Sequence, residues 1–430
     1  MSEYQTFANE ALELYKSLPE ETNSIYKRRH IVLDLSLLDE KSELIDDKSV
    51  IERVYTESIA HLNIPFDMII GRHGAIIKDN PYIKIINKSD EEFYSILKKS
   101  MHDKREDKYV AFTHAHVDQI ITINIPEDTV ASLNLLFVNV NESLPIIVYT
   151  KLGKGANLKM LQLSVSKSKK NIFTSIINEF DALAYSKAEV NVIYPQDERV
   201  TIINNSKADA GINADIKFNY IYIGGNAVRS RNYINAVGNG SSINANEIIF
   251  GSKSQKMDIN TYIINTGRET TAKLDSKVAL MHDSICFIKG FAKIVNGAKE
   301  SRSFVEEGGV LIDRTARIDS IPSVSIDENA VKATHSSATG PIDDESLFYL
   351  TSRGIDKVRA QQLILSGFFS PVISNIFDDN VKSIISSMIN DKMKNNGRYG
   401  VIPRIDTTDI IWFSKPSADL FERHYKYRGN

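Results

Sequence analysis

Residues 212–218 read INADIKF, and residues 243–249 read INANEII, a near-copy 31 positions further along. Short β-prone runs recur around them from about residue 109 to residue 331, separated by the Gly, Asn, Asp and Ser residues that favour tight turns. Apolar residues then follow one another at steps of 16, 15 and 13 positions: Ile243, Ile259, Leu274 and Phe287. Repeated short strands at this coarse spacing predict a solenoid of stacked strands, a β-helix, with a sandwich or a barrel as the competing interpretation.

The bulk composition is that of an ordinary folded protein. Of the 430 residues, 42% are hydrophobic and 25% are charged, and the formal net charge of −3 gives no basic surface for nucleic acid. No run of about 18 apolar residues is present to span a membrane, and residues 1–21 lack the apolar core of a signal peptide. The single cysteine, Cys286, excludes an internal disulfide and a metal site built from cysteines alone. We therefore expect a cytoplasmic protein that binds neither nucleic acid nor a membrane.

Helical patterns flank the β-rich region on both sides. We divide the chain into an N-terminal α-rich region (1–108), a β-helix core (109–340), a C-terminal helical domain (341–394) and an extension (395–430). This arrangement predicts a mainly β protein with helices at both ends.

The C-terminal helices have recognisable ends. Asp343 is placed to cap one helix, and Gly354 fits the left-handed position that ends it. Asp356 is placed to cap the next helix, and a last amphipathic helix is predicted from about residue 378 to residue 393. The apolar stripe of the middle helix is predicted to consist of Ala360, Leu363, Ile364, Gly367 and Phe368.

Reactive side chains do not form a known catalytic motif. Residues 113–116, THAH, place two histidines on the same side of a predicted strand, but no cluster of Asp, Cys and His residues is evident beside them, so we interpret them as part of a surface strand. Cys286 lies in an apolar run and is predicted to be a small buried residue. Residues 151–159, KLGKGANLK, lack the pattern of a phosphate-binding P-loop, and no Gly-x-Ser-x-Gly motif is present. The chain is therefore predicted not to be an enzyme.

One long segment points to a known family. Residues 342–368, IDDESLFYLTSRGIDKVRAQQLILSGF, strongly resemble the C-terminal signature of the SufB/SufD family, the scaffold proteins of Suf iron–sulfur cluster assembly. Residues 332–340, KATHSSATG, resemble the family's segment of the pattern basic-x-Ser/Thr-His-x-x-x-x-Gly. Residues 286–326 resemble the strands that precede this segment in the family. The resemblance extends from about residue 229 to residue 369. It implies a right-handed parallel β-helix core between an N-terminal α-rich region and a C-terminal helical domain.

The resemblance also implies partners. Family members pair through their β-helices, and they bind SufC, an ABC-type ATPase, through the C-terminal helices, so ATP hydrolysis is expected in that partner. Partner helices present anchors at helical spacing. The residues expected to bind the partner are four apolar anchors, one charged residue and the glycine at which the chain bends: Leu347, Phe348, Tyr349, Leu350, Arg353 and Gly354. The competing interpretation is that most of the apolar residues pack within the small domain itself.

Two positions favour a SufD-like over a SufB-like chain, and a third departs from the SufD pattern. Where SufB carries a cysteine expected to accept sulfur, this chain has Ala316, and where SufB has a glutamate after the histidine it has Ser336. Ala333 replaces a cysteine that SufD members often carry. We therefore expect pairing with a SufB-type scaffold. The alternatives are a SufB-like homodimer acting with SufC and, less favoured, a β-helix carbohydrate-active enzyme.

The resemblance places His335 at the junction of two scaffold subunits. A neutral imidazole suits iron, and one histidine alone holds iron poorly, so thiolates of the partner would supply the other ligands. The competing interpretation is a histidine that caps the last strand by hydrogen bonds. We expect no cofactor bound stably by the isolated chain and a transient iron–sulfur cluster in the complex. Some relatives suggest a flavin in that complex, and the sequence leaves this question open.

Overall fold

The computed structural model describes residues 3–21, 30–33, 47–72 and 74–398. Two β-sheets, whose strands are mainly parallel, extend along most of this part of the chain. The helices are α1 (Glu3–Ser17), α2 (Asp47–Ser58), α3 (Phe93–Leu97), α4 (Lys108–His116), α5 (Asp344–Ser352), α6 (Lys357–Ser374) and α7 (Asp379–Lys394), with one 3-10 turn at Ala60–Leu62. The strands are β1 (Met68–Ile70), β2 (Ala75–Ile77), β3 (Ile83–Asn87), β4 (Gln119–Ile125), β5 (Val130–Val140), β6 (Leu144–Leu152), β7 (Asn157–Lys167), β8 (Ile172–Ala182), β9 (Lys187–Tyr194), β10 (Val200–Ala210), β11 (Asp215–Tyr222), β12 (Ala227–Ala236), β13 (Ser242–Gly251), β14 (Lys256–Asn265), β15 (Thr271–Leu280), β16 (Ile285–Ile294), β17 (Arg302–Leu311), β18 (Arg317–Ser320), β19 (Ser323–Ile326) and β20 (Lys332–Pro341).

The order of the strands confirms the β-helix. One sheet, the odd sheet, runs β2-β1-β5-β7-β9-β11-β13-β15-β17-β20, and the other, the even sheet, runs β18-β16-β14-β12-β10-β8-β6-β4-β3, with β19 also paired to β16. Each coil therefore gives one strand to each sheet. All pairings from β4 to β20 are parallel, and the antiparallel pairs β1–β2 and β3–β4 lie at the start of the rod. A sandwich or barrel of antiparallel strands is excluded.

The repeated sequence is real but out of register with the coils. Ile243 lies opposite Ile216 and not opposite Ile212, because the turns between strands differ in length. Likewise Ile259 lies opposite Ile288 and not Phe287. Since side chains alternate along a strand, a shift of one residue moves a side chain from the interior to the outer face.

The interior of the rod is mostly apolar. On β16 the residues Cys286, Ile288 and Ala292 point into the main hydrophobic core. Cys286 is fully buried, which confirms the prediction of a small buried residue. Burial raises the pKa of its thiol, so the sulfur stays protonated and unreactive.

The C-terminal helices cover the outer face of the odd sheet. Leu365 and Phe369 of α6 pack with Ile248 and Phe250 of β13. The Lys392 ammonium of α7 is buried and donates to the carbonyl oxygens of Ile223 (2.6 Å) and Phe250 (2.5 Å). Together these contacts fasten the helical domain to the rod.

The predicted stripe on α6 is wrong by part of a turn. Of the predicted residues, Ala360 is buried, Leu363, Ile364 and Phe368 are half-buried and Gly367 is exposed. The fully buried face contains Leu365 and Phe369 besides Ala360. Polar residues on that face concealed it. One of them is Gln362, whose amide donates to the Asn390 carbonyl at 3.2 Å between α6 and α7. By contrast, Asp343, Asp356 and Asp378 cap α5, α6 and α7 through their side chains, as expected for the first two.

The predicted strand at residues 113–116 is also wrong, because these residues belong to α4. The side chain of Asp107 caps that helix by accepting from the backbone N–H groups of Tyr109 (2.8 Å) and Val110 (3.4 Å). Of the nine residues of α4, six are buried and the others are half-buried, so the helix shows no exposed polar stripe. Within the described residues, no helix is both long and apolar enough to cross a membrane. Residues 399–430 of the predicted extension lie outside the described residues.

Candidate functional site

The C-terminal end of the rod is open. In the part of the chain that the structure describes, β20 pairs with β17 on one side and has no strand on the other. All ten residues of β20 are exposed or half-buried. Its backbone N–H and C=O groups therefore offer a template onto which another strand can pair.

His335 lies on the inward side of this last strand. It is opposite Val305, whose side chain belongs to the core, but His335 is exposed because no further coil covers it. Its imidazole makes no hydrogen bond to another described residue, so the capping interpretation has no support from the described contacts. The ring is accessible for binding from the rod end.

A second inward residue, Ser337, sits two positions from His335 at the same end. Its Oγ lies 2.5 Å from Oγ of Ser320 on β18, and the Ser320 hydroxyl donates to the carboxylate of Glu307 on β17. The Glu307 carboxylate also accepts from the Gly290 N–H at 2.5 Å. Burial raises the pKa of Glu307 to about 7, more than these hydrogen bonds lower it. Sequence analysis missed Glu307, because its position inside the rod follows only from the strand register.

This rod end does not form a complete metal site. Within the described ranges, no group of three or more His, Cys, Asp or Glu side chains is placed to hold a metal ion. The position of the expected SufB cysteine is taken by Ala316, which is buried in the core directly before β18. His335 can therefore supply at most one ligand of a shared site.

Helix α5 is the most exposed helix of the C-terminal helical domain. Every residue of α5 is exposed or half-buried, and the side chains of Phe348 and Tyr349 are 73% and 57% exposed. The Arg353 guanidinium lies 4.9 Å from the centre of the Tyr349 ring. Gly354 has a φ of +84°, which confirms the predicted left-handed end of the helix.

The six expected partner-binding residues thus lie together on α5 and at its end. Phe348 and Tyr349, with the acidic Asp344 and Glu345, line a shallow depression on the surface. Leu347 and Leu350 are only half-buried. Packing within the small domain therefore explains the partial burial of the two leucines. It does not explain the two aromatic rings, which are exposed. An exposed pair of rings beside fixed charges is typical of an interaction surface.

A buried ion cluster holds the N-terminal region against the even sheet. The Arg231 guanidinium donates to Glu21 (2.7 Å) and to Asp258 (3.0 Å), and the Lys289 ammonium lies 2.6 Å from Asp258. Although burial disfavours the charge of Asp258, Arg231 and Lys289 lower the pKa of its carboxyl to about 2. Arg229 pairs with Asp107, the cap of α4, at 2.5 Å.

Sequence analysis did not predict this ion cluster. Two arginines at i, i+2 in a strand share one face, and that spacing was the available signal. Both lie on the outer face of β12, beneath the N-terminal region.

Comparison with known proteins gives one family. Residues 142–368, more than half of the chain, match the family model described as "SUF system FeS cluster assembly, SufBD core domain". The matched range contains the rod from near the start of β6, all of β20 and α5, and most of α6.

Several curated proteins are similar to part of the chain. The iron-sulfur cluster assembly protein SufD of Bacillus subtilis is 30% identical over 195 residues, which are 45% of this chain and 44% of that protein. A SufBD family protein of Pyrococcus horikoshii is 28% identical over 203 residues (46% and 45%), and SufD of Escherichia coli is 23% identical over 176 residues (41% and 42%). The chain spans less than half the length of each of these relatives.

Proposed function

Because this chain belongs to the SufB/SufD family of iron–sulfur cluster assembly proteins, we propose that it is a SufD-like, non-catalytic scaffold subunit. It pairs with a SufB-type scaffold at the open end of the rod and binds a SufC-type ABC ATPase through α5. The observation that carries the proposal is the family match across both β20 and α5. The vacant thiol position at Ala316 supports the SufD-like assignment.

Strand pairing supports the scaffold role. The edge of β20, which carries no further strand within the described residues, can accept the edge of a second β-helix, so that the two rods form one continuous sheet. In such a junction His335 of this chain would face the partner. There it would supply one imidazole ligand to a cluster that is assembled as the product and passed on, while the partner's thiolates supply the rest. Whether a flavin also binds the complex stays an open question.

The exposed rings of α5 support the ATPase role. Phe348 and Tyr349 can insert into a groove of the ATPase, and Arg353 can pair with an acidic group beside it. ATP-driven movement of that partner would then act on the scaffold through the α5–α6 pair.

The test is capture of partners by the full chain. We expect a tagged chain, co-expressed with a SufC-type ATPase and a cysteine-bearing SufB-type scaffold, to retain both. Phe348→Ser should lose the ATPase and keep the scaffold, because only the α5 surface is changed. Phe377→Ser is the matched control, since Phe377 is 66% exposed on the connection between α6 and α7.

Two outcomes would overturn the proposal. Failure of the unaltered chain to retain either partner would remove its basis. A stable homodimer that excludes the SufB-type scaffold and still holds the ATPase would favour the alternative of a self-paired scaffold.

A further inference from the structure

The last coils of the rod enclose an acid, Glu307, that pairs with no cation among the described residues. Glu307 is 2% exposed and lies between the inward residues Val305 and Gly309 on β17. Among the described residues, its hydrogen-bond partners are the Gly290 N–H and the Ser320 hydroxyl. A buried carboxylate with only neutral donors is costly, so the protonated form is favoured up to near-neutral pH.

The groups around Glu307 do not supply a positive charge from inside. Glu247 of β13 lies level with Glu307, two strands away in the odd sheet, and raises the pKa of Glu307 further. The Cys286 thiol of β16 faces the same interior. Lys277 of β15 lies nearby but pairs with Asp275 and with Glu306, which is on the outer side of β17. His335 of β20 lies at the open end.

A hydrogen-bonded path leads from Glu307 to the surface. The Ser320 hydroxyl donates to Glu307, and the Ser337 hydroxyl lies 2.5 Å from Ser320. Ser337 is exposed on β20 and points to the same side of the strand as His335. A hydroxyl can accept one proton while it donates another, so two hydroxyls in series can pass a proton along.

We propose that Ser337, Ser320 and Glu307 form a proton relay that takes up the proton released when a sulfur ligand binds iron at the rod end. The inference rests on the proposed function, because that function brings sulfur and iron to this surface. It assigns Glu307 the part of a proton acceptor that acts through the two serines.

The proposed step is balanced. Metal binds the thiolate or hydrosulfide and not the protonated form, so the S–H bond must break as the ligand binds. Ser337 accepts that proton and passes its own to Ser320, and Ser320 passes its own to Glu307, where a new O–H bond forms. The sulfur keeps the electron pair, and no electron is transferred.

The relay is tested first on the full chain alone. With 13C-labelled glutamate, the Glu307 carboxyl carbon should titrate in the NMR spectrum near pH 7. Glu307→Gln should remove that titrating signal, and Ser320→Ala should shift its midpoint, because the Ser320 hydroxyl stabilises the ionised form. Glu306→Gln, which changes the neighbouring outward residue, should leave it in place. A Glu307 midpoint below about pH 5 would exclude a proton acceptor poised for neutral pH.

The second test measures cluster formation in the complex. Ferrous iron and sulfide are added to the full chain with its SufB-type partner and ATPase, and the initial rate is followed from about pH 6 to about pH 9. The rate of the unaltered complex should rise through about pH 7 as Glu307 ionises. Glu307→Gln and Ser337→Ala should lower the rate about tenfold or more above pH 7 and flatten this rise, and Glu306→Gln should do neither. An unchanged profile in Glu307→Gln would overturn the relay.

The relay and the proposed function fail differently. If His335→Ala forms clusters at the unaltered rate, the ligand role of His335 is wrong. If His335→Ala abolishes clusters while Glu307→Gln keeps the full pH profile, the scaffold proposal stands and the relay is wrong. Circular dichroism should show Glu307→Gln folded, because a glutamine side-chain oxygen can still accept from Gly290 and Ser320.

Discussion

Arg231 of β12 and Asp258 of β14 form a fully buried, two-pronged ion pair, with Nη1 and Nη2 of the arginine 3.1 and 3.0 Å from the two carboxylate oxygens. The pair joins neighbouring strands of the even sheet, and Glu21 of the N-terminal region binds the same guanidinium. The charge balance of this cluster therefore links the stability of the rod to the attachment of the N-terminal region.

Asp258→Asn should strongly destabilise the protein. Removal of the carboxylate leaves Arg231 and Lys289 buried with too little negative charge, which costs about 3–5 kcal/mol. The free energy of unfolding in urea is the measurement. Glu92→Gln, at the exposed pair with Lys84, is the control and should change it by less than about 0.5 kcal/mol. A loss below about 1 kcal/mol in Asp258→Asn would mean that solvent reaches the cluster.

The stability of the protein should depend on Glu307 between about pH 4.5 and about pH 7. Burial raises the pKa of Glu307 from an ordinary value of 4.5 to about 7, so the folded state holds a proton that the unfolded state releases. The resulting stabilisation is complete below the unfolded pKa and is lost as pH rises through about 7. The loss is on the order of 3 kcal/mol. Urea titrations of the unaltered chain and of Glu307→Gln across this range should diverge by that amount, and parallel curves would contradict the raised pKa.

His335→Ala should abolish cluster formation in the assembled complex without unfolding this subunit. The ring is exposed at the rod end, so its removal should change the free energy of unfolding by less than about 0.5 kcal/mol. Iron and sulfide content and visible absorbance of the reconstituted complex give the readout. Thr334→Ala changes the exposed neighbour on the opposite side of β20 and should leave assembly intact. Normal cluster content in His335→Ala would remove the histidine from the ligand set.

Two glycines near each other in the sequence should respond in opposite ways to alanine. Gly354 adopts a φ of +84° at the end of α5, so Gly354→Ala should cost about 1 kcal/mol through backbone strain alone, since open space surrounds its Cα. Gly367 lies inside α6, also with open space beside it, and Gly367→Ala should stabilise the helix by about 0.5–1 kcal/mol. Thermal unfolding distinguishes the two. A destabilised Gly367→Ala would point to a partner surface or strain on that side of α6.

Much of the fold could be predicted from the sequence, because its signals are local. Turn residues between short β-prone runs indicated stacked strands, and Asp343, Gly354 and Asp356 marked the ends of two helices correctly. Helix α4 was missed because a helix without exposed residues has no polar face, and only its cap at Asp107 remained as a signal.

The site was predicted in part for a related reason. His335 and the α5 residues lie in one continuous motif, so they could be named from the sequence. Glu307, Ser320 and Ser337 come together only through strand pairing across a coil, and their burial depends on register. The same holds for the pairs Asp107–Arg229 and Glu21–Arg231, whose members are far apart in the chain and meet in the folded protein.

The bare edge of β20 has a cost as well as a use. A copy of this chain with nothing paired along that strand presents a ready surface for unwanted self-association, and only its polar side chains and Lys332 blunt that tendency. Copies of this chain with nothing paired along β20 are therefore the ones expected to aggregate. On the proposed function, the SufB-type scaffold would cover this edge, so we expect aggregation when this chain is produced in excess of that partner.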